Sequence, residues 1–328
     1  MARTLTYIDA INEALHQEME RDDRVCILGE DLGLGGGVFK ATAGLYQKFG
    51  EERVLDSPLA EGIIIGAAIG ASLVGFRPVP EIQFADFIGD AVDPILQQAA
   101  KLRYRSSGGF TCPITIRVCW GGGTGGGLYH SQENTTWFAH EPGIRVLAPS
   151  TAYDAKGMLI AAIRDENPVL FFEHKKLYRT AKGDVPEEPY TVSLDNAEVR
   201  RPGRDMTIVT YGYMASIAME AAEEMSKRGV EAEVVDLRTL NPIDKKTIVD
   251  SVRKTNRCLI VHEDTKTLGM GAEIAAILNE EAFDDLDAPI YRVTGPDIPP
   301  VPFSPPLEKF FMVDKEKVIA GMEKLAAY

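Results

Sequence analysis

Glu61 stands at the mouth of an apolar run. In DSPLAEGIIIGAAIGASLVG, residues 56–75, the positions after Glu61 carry no ionisable group. Ser57 is a good N-cap and Pro58 suits a first helical position. The spacing therefore predicts a helix with Glu61 in or just after its first turn. Two roles are open for it. A first-turn carboxylate complements the helix dipole, worth a few tenths to about 1 kcal/mol. A helix that is apolar all round is a buried one, and a buried carboxylate needs a partner or takes up a proton. An acid poised in that way can exchange protons with a bound ring. Gly62, Gly66 and Gly70 recur at every fourth position and permit close helix–helix contact, either within the domain or at a subunit interface.

Histidine is the usual proton carrier near neutrality, and the chain has five. His130 follows the glycine-rich loop WGGGTGGGLYHS, where glycines let backbone approach a ligand closely. The loop is equally readable as a bare flexible connection. His16 lies on an amphipathic helix, as a surface residue, and His140 sits near a helix stop. His174 and His262 end strand-like runs, where a structural role is the ordinary one.

Several chemistries are absent from the pattern. GEDLGLGGGVFK lacks the third glycine of a dinucleotide fingerprint, and WGGGTGGGLYHS lacks the G-K-[ST] of a phosphate loop. No G-x-S-x-G or H-E-x-x-H occurs, which speaks against hydrolase and zinc-protease readings. The formal net charge of -14 argues against nucleic acid, whose binding is mainly electrostatic. No run of about eighteen apolar residues predicts a membrane span, and the first residues lack the apolar core of a secretion signal. Cys26, Cys112, Cys119 and Cys258 have no metal-like spacing. They read as buried reduced thiols in a reducing cytoplasm.

The elements that must position these residues alternate between strand and helix. TYIDAINEALHQEMERD is helical, VCILGED a strand, RPVPEIQ a strand, DAVDPILQQAAKLRYRS a helix, CPITIRVCW a strand, and PVLFFEH a strand. Such alternation implies a mainly parallel sheet covered on both faces. A polar, proline-containing stretch interrupts it, and the alternation restarts at DMTIVTYG. The expected architecture is two α/β domains over 1–185 and 204–328, joined by a linker at 186–203. The proline cluster PDIPPVPFSPP reads as an extended arm before a last helix.

The motifs DSPLAEGIIIGAAIG, RPVPEIQFADF, LYHSQ, FAHEPGIRVLAPSTAYDAKGMLIAAIRDENPVLFFEHKKLYR and AEVVDLRTLNPID occur in order over nearly the whole chain. Together they resemble the beta subunit of the thiamine diphosphate-dependent 2-oxo acid dehydrogenases, the decarboxylating component. EIQFADF and HSQ are more similar to the branched-chain 2-oxoisovalerate branch, with pyruvate and acetoin dehydrogenases as alternatives. The resemblance implies a pyrimidine-binding parallel-sheet domain followed by a transketolase C-terminal-like domain. It implies oxidative decarboxylation of a 2-oxo acid with reductive acylation of lipoyl groups, active only with an alpha subunit.

By the same resemblance, Glu61 hydrogen-bonds a pyrimidine nitrogen of thiamine diphosphate and favours the imino tautomer, which takes the proton from the thiazolium C2 carbon. The cofactor is the electron sink, and the protein positions and tunes it. Phe87 matches the ring-stacking position, and Gln83 and Leu59 match neighbouring pyrimidine contacts. His130 matches a histidine that assists proton transfer in decarboxylation or acyl transfer. Ile114, Ala162, Ile163, Asp165 and Asn167 match a structural potassium site, several through backbone carbonyls. The chain has IGDAV and KGDVP but no G-D-G, the start of the motif that holds magnesium and diphosphate. The resemblance assigns that half of the site to the alpha subunit of an α2β2 heterotetramer. It also implies a second beta subunit and docking to a dihydrolipoamide acyltransferase core with lipoyl domains. A non-catalytic assembly subunit is the reading from another class; retention of Glu61, Phe87 and His130 together argues against it.

Overall fold

The computed structural model describes residues 2–299 and 301–328. They form two compact units. The first holds the chain up to Trp120 together with Trp137–Leu194, and the second holds Gly121–Thr136 and Asp195–Tyr328. The segment 121–136 thus groups with the second unit, although it lies within the span expected for the first domain.

In the first unit, β1 (Ala2–Thr6) leads into α1 (Tyr7–Arg21), which Thr6 caps by accepting from the Asp9 N–H. There follow β2 (Val25–Gly29), α2 (Leu45–Phe49), β3 (Val54–Asp56), α3 (Glu61–Leu73) and β4 (Arg77–Ile82). A 3₁₀ turn at Ala85–Ala91 and a π-type turn at Pro94–Ala99 run into α4 (Ala100–Arg105). Next come β5 (Thr115–Trp120), α5 (Thr135–Ala139), β6 (Arg145–Leu147), α6 (Ala152–Arg164), β7 (Val169–His174), α7 (Leu177–Thr180) and β8 (Lys182–Pro186). The strands of this unit's main sheet lie in the order β6-β7-β5-β4-β2-β3, all parallel. The residues of β4, β5 and β7 are buried throughout, as expected when helices cover both faces of a parallel sheet. β1 pairs antiparallel with β8 as a separate ribbon.

The second unit contains β9 (Glu198–Arg201), β10 (Met206–Thr210), α8 (Tyr213–Ser226), β11 (Ala232–Asp236), the short β12 (Thr239–Asn241), α9 (Lys245–Thr255) and β13 (Cys258–Thr265). It continues with α10 (Met270–Glu281), β14 (Tyr291–Gly295), α11 (Pro305–Phe311) and α12 (Lys315–Ala326). Its sheet order is β14-β13-β10-β11-β9, parallel except for β9. Met206, Ile208, Val234, Leu259 and Val261 pack with α8 and α12 side chains in its core.

The two-domain α/β architecture is the one expected; four local readings change. The stretch read as linker contains β9, which pairs antiparallel with β11. The proline arm carries α11, with Pro305 at its first turn, where a missing N–H costs nothing; Pro300 of that arm lies outside the described residues. The N-cap of α3 is Ala60 rather than Ser57, and no side chain caps it. Ser57 instead donates its N–H to the Gly29 carbonyl at 2.8 Å, consistent with the extended bias of a residue before proline. Finally, α3 is apolar all round but not buried all round within this chain. Ile64, Ile65, Ala68 and Ile69 face the core, while Ile63 is 73% and Val74 75% exposed.

Candidate active site

The carboxyl edge of the first sheet is the natural ligand position of an open α/β fold, above all where strand order reverses. Here β2 has β3 on one side and β4 on the other, so the reversal lies at β2. The three strands deliver one polar residue each. Glu30 follows β2, Glu61 opens the helix after β3, and Gln83 follows β4. Gln83 Nε2 donates to the Glu30 carbonyl at 3.1 Å, tying the ends of β2 and β4 together. Glu61 is only 8% exposed. It occupies the first turn of α3, where the positive end of the helix favours a carboxylate. Glu61 is therefore both a first-turn acid and a buried one.

Glu30, in the run VCILGED that the sequence pattern marks only as a strand, is a further member of this constellation. It is 4% exposed, and neither carboxylate oxygen has a hydrogen-bond partner among the described residues. Burial, and then the neighbouring charges of Glu61, Asp31 and Glu81, push its pKa up to about 7. A buried acid raised in this way at the carboxyl edge of the sheet, in the field of Glu61, is a functional-site candidate. A glutamate ending the apolar run VCILG was the available signal.

Beneath this edge lies a buried ion network. Arg117 on β5 forms a bidentate pair with Glu173 on β7 (2.6 and 2.7 Å) and also donates to Glu81 on β4. Tyr178 donates to Glu173 at 2.6 Å. These residues satisfy each other, so they hold β4, β5 and β7 in register rather than offer a reactive group.

The other matched pyrimidine contacts belong to this same unit. Phe87, in the 3₁₀ turn after β4, is half-buried and meets Phe84 edge-on, with ring centroids 5.9 Å apart. Leu59, in the β3–α3 connection, is 81% exposed. The glycines of α3 divide. A Cβ on Gly62 would stand 2.8 Å from the Asp90 carbonyl oxygen, so Gly62 serves packing inside the chain. Gly66 and Gly70 have nothing within 4 Å of such an atom and lie on the exposed face with Ile63.

Of the five residues that the resemblance matches to potassium, Ala162, Ile163, Asp165 and Asn167 lie at or just past the C-terminus of α6, where orphan carbonyls carry partial negative charge. Arg77 donates to the carbonyls of Ile163 (2.8 Å) and Asp165 (2.5 Å), and the Ala162 carbonyl accepts the Asp165 N–H. The Ile114 carbonyl accepts from Val169 N–H. The Asp165 side chain pairs with Arg145 at 2.9 Å and accepts from Asn167. Arg103 donates to Asn167 Oδ1 at 2.6 Å, so three arginine side chains already engage the oxygens of this set.

His130 lies in the second unit and is half-buried at the end of the glycine-rich loop, its N–H donating to the Gly127 carbonyl at 3.4 Å. The remaining histidines separate from chemistry. His174 is buried edge-on against Trp120, and its Nδ1 accepts from the Lys176 N–H. Burial pushes His262 down to about 4, so it is neutral at pH 7. His16, partly buried rather than at the surface, contacts the Asn12 carbonyl from the same helix, and His140 is exposed. All four cysteines are buried and free.

The transketolase pyrimidine-binding domain matches residues 3–181, and the transketolase C-terminal domain matches 195–318. The 2-oxoisovalerate dehydrogenase subunit beta of Bacillus subtilis strain 168 is 54% identical over 324 residues, 99% of either chain. The chain belongs to the beta subunits of the thiamine diphosphate-dependent 2-oxo acid dehydrogenases. Within this family, the pyruvate dehydrogenase E1 component subunit beta of B. subtilis is 50% identical, over 89% of this chain and 90% of that one. The 2-oxoisovalerate dehydrogenase subunit beta of Pseudomonas aeruginosa is 46% identical, over 90% and 88%. Among solved structures, a split-gene transketolase described as an inactive beta4 tetramer superposes with a TM-score of 0.79 at 25% identity, over 98% of both chains. No helix among the described residues is long and apolar enough to cross a membrane.

Proposed function

We propose that this chain supplies the catalytic beta half of a 2-oxo acid dehydrogenase that acts on branched-chain 2-oxo acids. The observation that carries the reading is the placement of Glu61, buried in the first turn of α3 at the carboxyl edge and within the field of the orphaned Glu30. Thiamine diphosphate, when bound, supplies the electron sink for decarboxylation. Glu61 would hold the pyrimidine and set its protonation. Phe87 would stack on the ring, and Gln83 and Leu59 would line it. Glu30, partly protonated near pH 7, supplies a neighbouring proton reservoir. His130 would assist proton transfer in decarboxylation or in acyl transfer to lipoyl groups. Ile114, Ala162, Ile163, Asp165 and Asn167 would hold a structural potassium ion through the carbonyl set at the end of α6.

The absence of G-D-G supports a shared cofactor site, with magnesium and the diphosphate held mainly by an alpha subunit. The related transketolase chain that is inactive as a beta4 tetramer supports the same division of labour. The exposed apolar face of α3, with Gly66 and Gly70 open to close approach, fits a subunit interface in an α2β2 assembly with a second beta subunit. A dihydrolipoamide acyltransferase core with lipoyl domains is the further partner of such an enzyme, and the buried free thiols fit a reducing cytoplasm. The branched-chain preference rests on EIQFADF and HSQ and on the 54% match against 50% for the pyruvate relative.

The test is turnover of a panel of 2-oxo acids by the chain reconstituted with its alpha partner. Branched-chain acids are expected to give the highest kcat/KM; preference for pyruvate or acetoin would replace the substrate assignment. Inactivity with every acid, in an assembled and cofactor-loaded complex, would favour the assembly-subunit reading.

A further inference from the structure

The glycine-rich loop is folded around anions that the chain itself provides. Gly123, Gly125 and Gly127 all adopt positive φ (77°, 75° and 66°), which glycine alone accepts without strain. Alternating conformations of this kind turn successive N–H groups toward one point and create an anion-binding concavity. The N–H groups of Gly123 and Gly125 converge on Glu308 Oε1 at 3.1 and 3.0 Å. The Gly122 N–H donates to Glu263 Oε1 at 2.5 Å. A Cβ on Gly127 would stand 3.1 Å from the Phe303 ring, so this end of the loop lies flat against the arm that carries α11. Downstream, Tyr211 donates to Glu133 at 3.1 Å and Thr136 donates to Asp264 at 2.8 Å. His130 is five residues past Gly125 and three before Glu133.

We propose that Glu308 is a positioning residue for His130, its carboxylate being the anion around which the glycine loop closes. A run so rich in glycine loses more conformational entropy on ordering than other sequence, so it needs an external acceptor to hold one shape. Charge-assisted bonds to two amides are the strong kind. Glu308 gathers Gly123 and Gly125, and the chain leaves that grip directly into the turn that ends at His130. This inference rests on the reading of His130 as a proton-transfer residue.

The experiment uses the reconstituted complex with Glu308→Ala, Glu308→Gln and, separately, His130→Ala. Two readouts are taken: amide hydrogen exchange over residues 121–130, and turnover with free lipoamide against turnover with an artificial electron acceptor. Glu308→Ala is expected to lose protection across the loop and to lower kcat with lipoamide about tenfold relative to the artificial acceptor, with KM for the 2-oxo acid unchanged. Glu308→Gln keeps a carbonyl acceptor and is expected to restore most of both. Native protection in Glu308→Ala overturns the proposal, as does equal loss in the Ala and Gln variants. If His130→Ala acylates lipoamide at the native rate, the reading of His130 falls; loop protection in the Glu308 variants then still decides whether Glu308 closes the loop.

Discussion

Two groups of acids in this molecule are treated in opposite ways. At the carboxyl edge of the first unit, Glu30 is buried with neither oxygen hydrogen-bonded among the described residues, and Glu61 lies within its electrostatic reach. In the second unit, the carboxylates of Glu263, Glu308, Asp264 and Glu133 accept from backbone amides or hydroxyls. A buried acid without partners raises the energy of its charged form and stays ready to move a proton. An acid with partners fixes the groups that donate to it. Partnering rather than burial separates the two groups, because burial also raises the pKa values of Glu133 and Asp264.

The comparison breaks most sharply at Glu61. In the reconstituted complex, Glu61→Gln is expected to lower kcat at least about 100-fold, the scale of a lost acid–base group, with the melting temperature unchanged. A large loss of stability with modest loss of rate would move Glu61 into the scaffold class. Asp264→Ala is expected to do the reverse. It strips acceptors from Thr136 Oγ1 and the Thr265 N–H and costs roughly 1–3 kcal/mol of stability, measured by denaturant unfolding.

Glu30 gives a pH signature. Its folded pKa is raised from 4.5 to about 7, so its protonated form is the favoured one. The stability it allows is fully present below pH 4.5 and is lost as pH rises to about 7. Glu30→Gln is expected to remove that slope and to raise stability at pH 8 by about 1–2 kcal/mol. An unchanged pH profile of unfolding would place Glu30 in ordinary solvent. The smallest effect on the fold is expected from Gly66→Leu. Nothing lies within 4 Å of the added side chain's first carbon, so the isolated chain keeps its stability within about 0.5–1 kcal/mol, while sedimentation shows loss of assembly. Gly62→Ala meets the Asp90 carbonyl and should destabilise the chain by itself, separating packing glycines from interface glycines.

Periodicity made the strands and long helices legible, because buried parallel strands and helical spacing are patterns of hydrophobicity. Glu61 was legible for the same reason, as the lone charge beside an apolar run. Features set by distant partners were not. The pairing of β1 with β8 and of β9 with β11 depends on long-range register, which short polar strands do not encode locally. Ser57 has the chemistry of a cap, yet its N–H is drawn to Gly29. Glu30 looks like any turn residue until the ends of three strands are brought together. The glycine loop reads as flexible because its anchor, Glu308, lies far along the chain.

The central claim is that Glu61 sets the protonation of the cofactor's pyrimidine. Its most direct test is the rate at which the C2 proton of thiamine diphosphate exchanges with deuterium in the assembled complex, followed by quenched-flow and proton NMR. With Glu61→Gln and the cofactor still bound, exchange is expected to slow at least about 100-fold; exchange at the native rate would contradict the account.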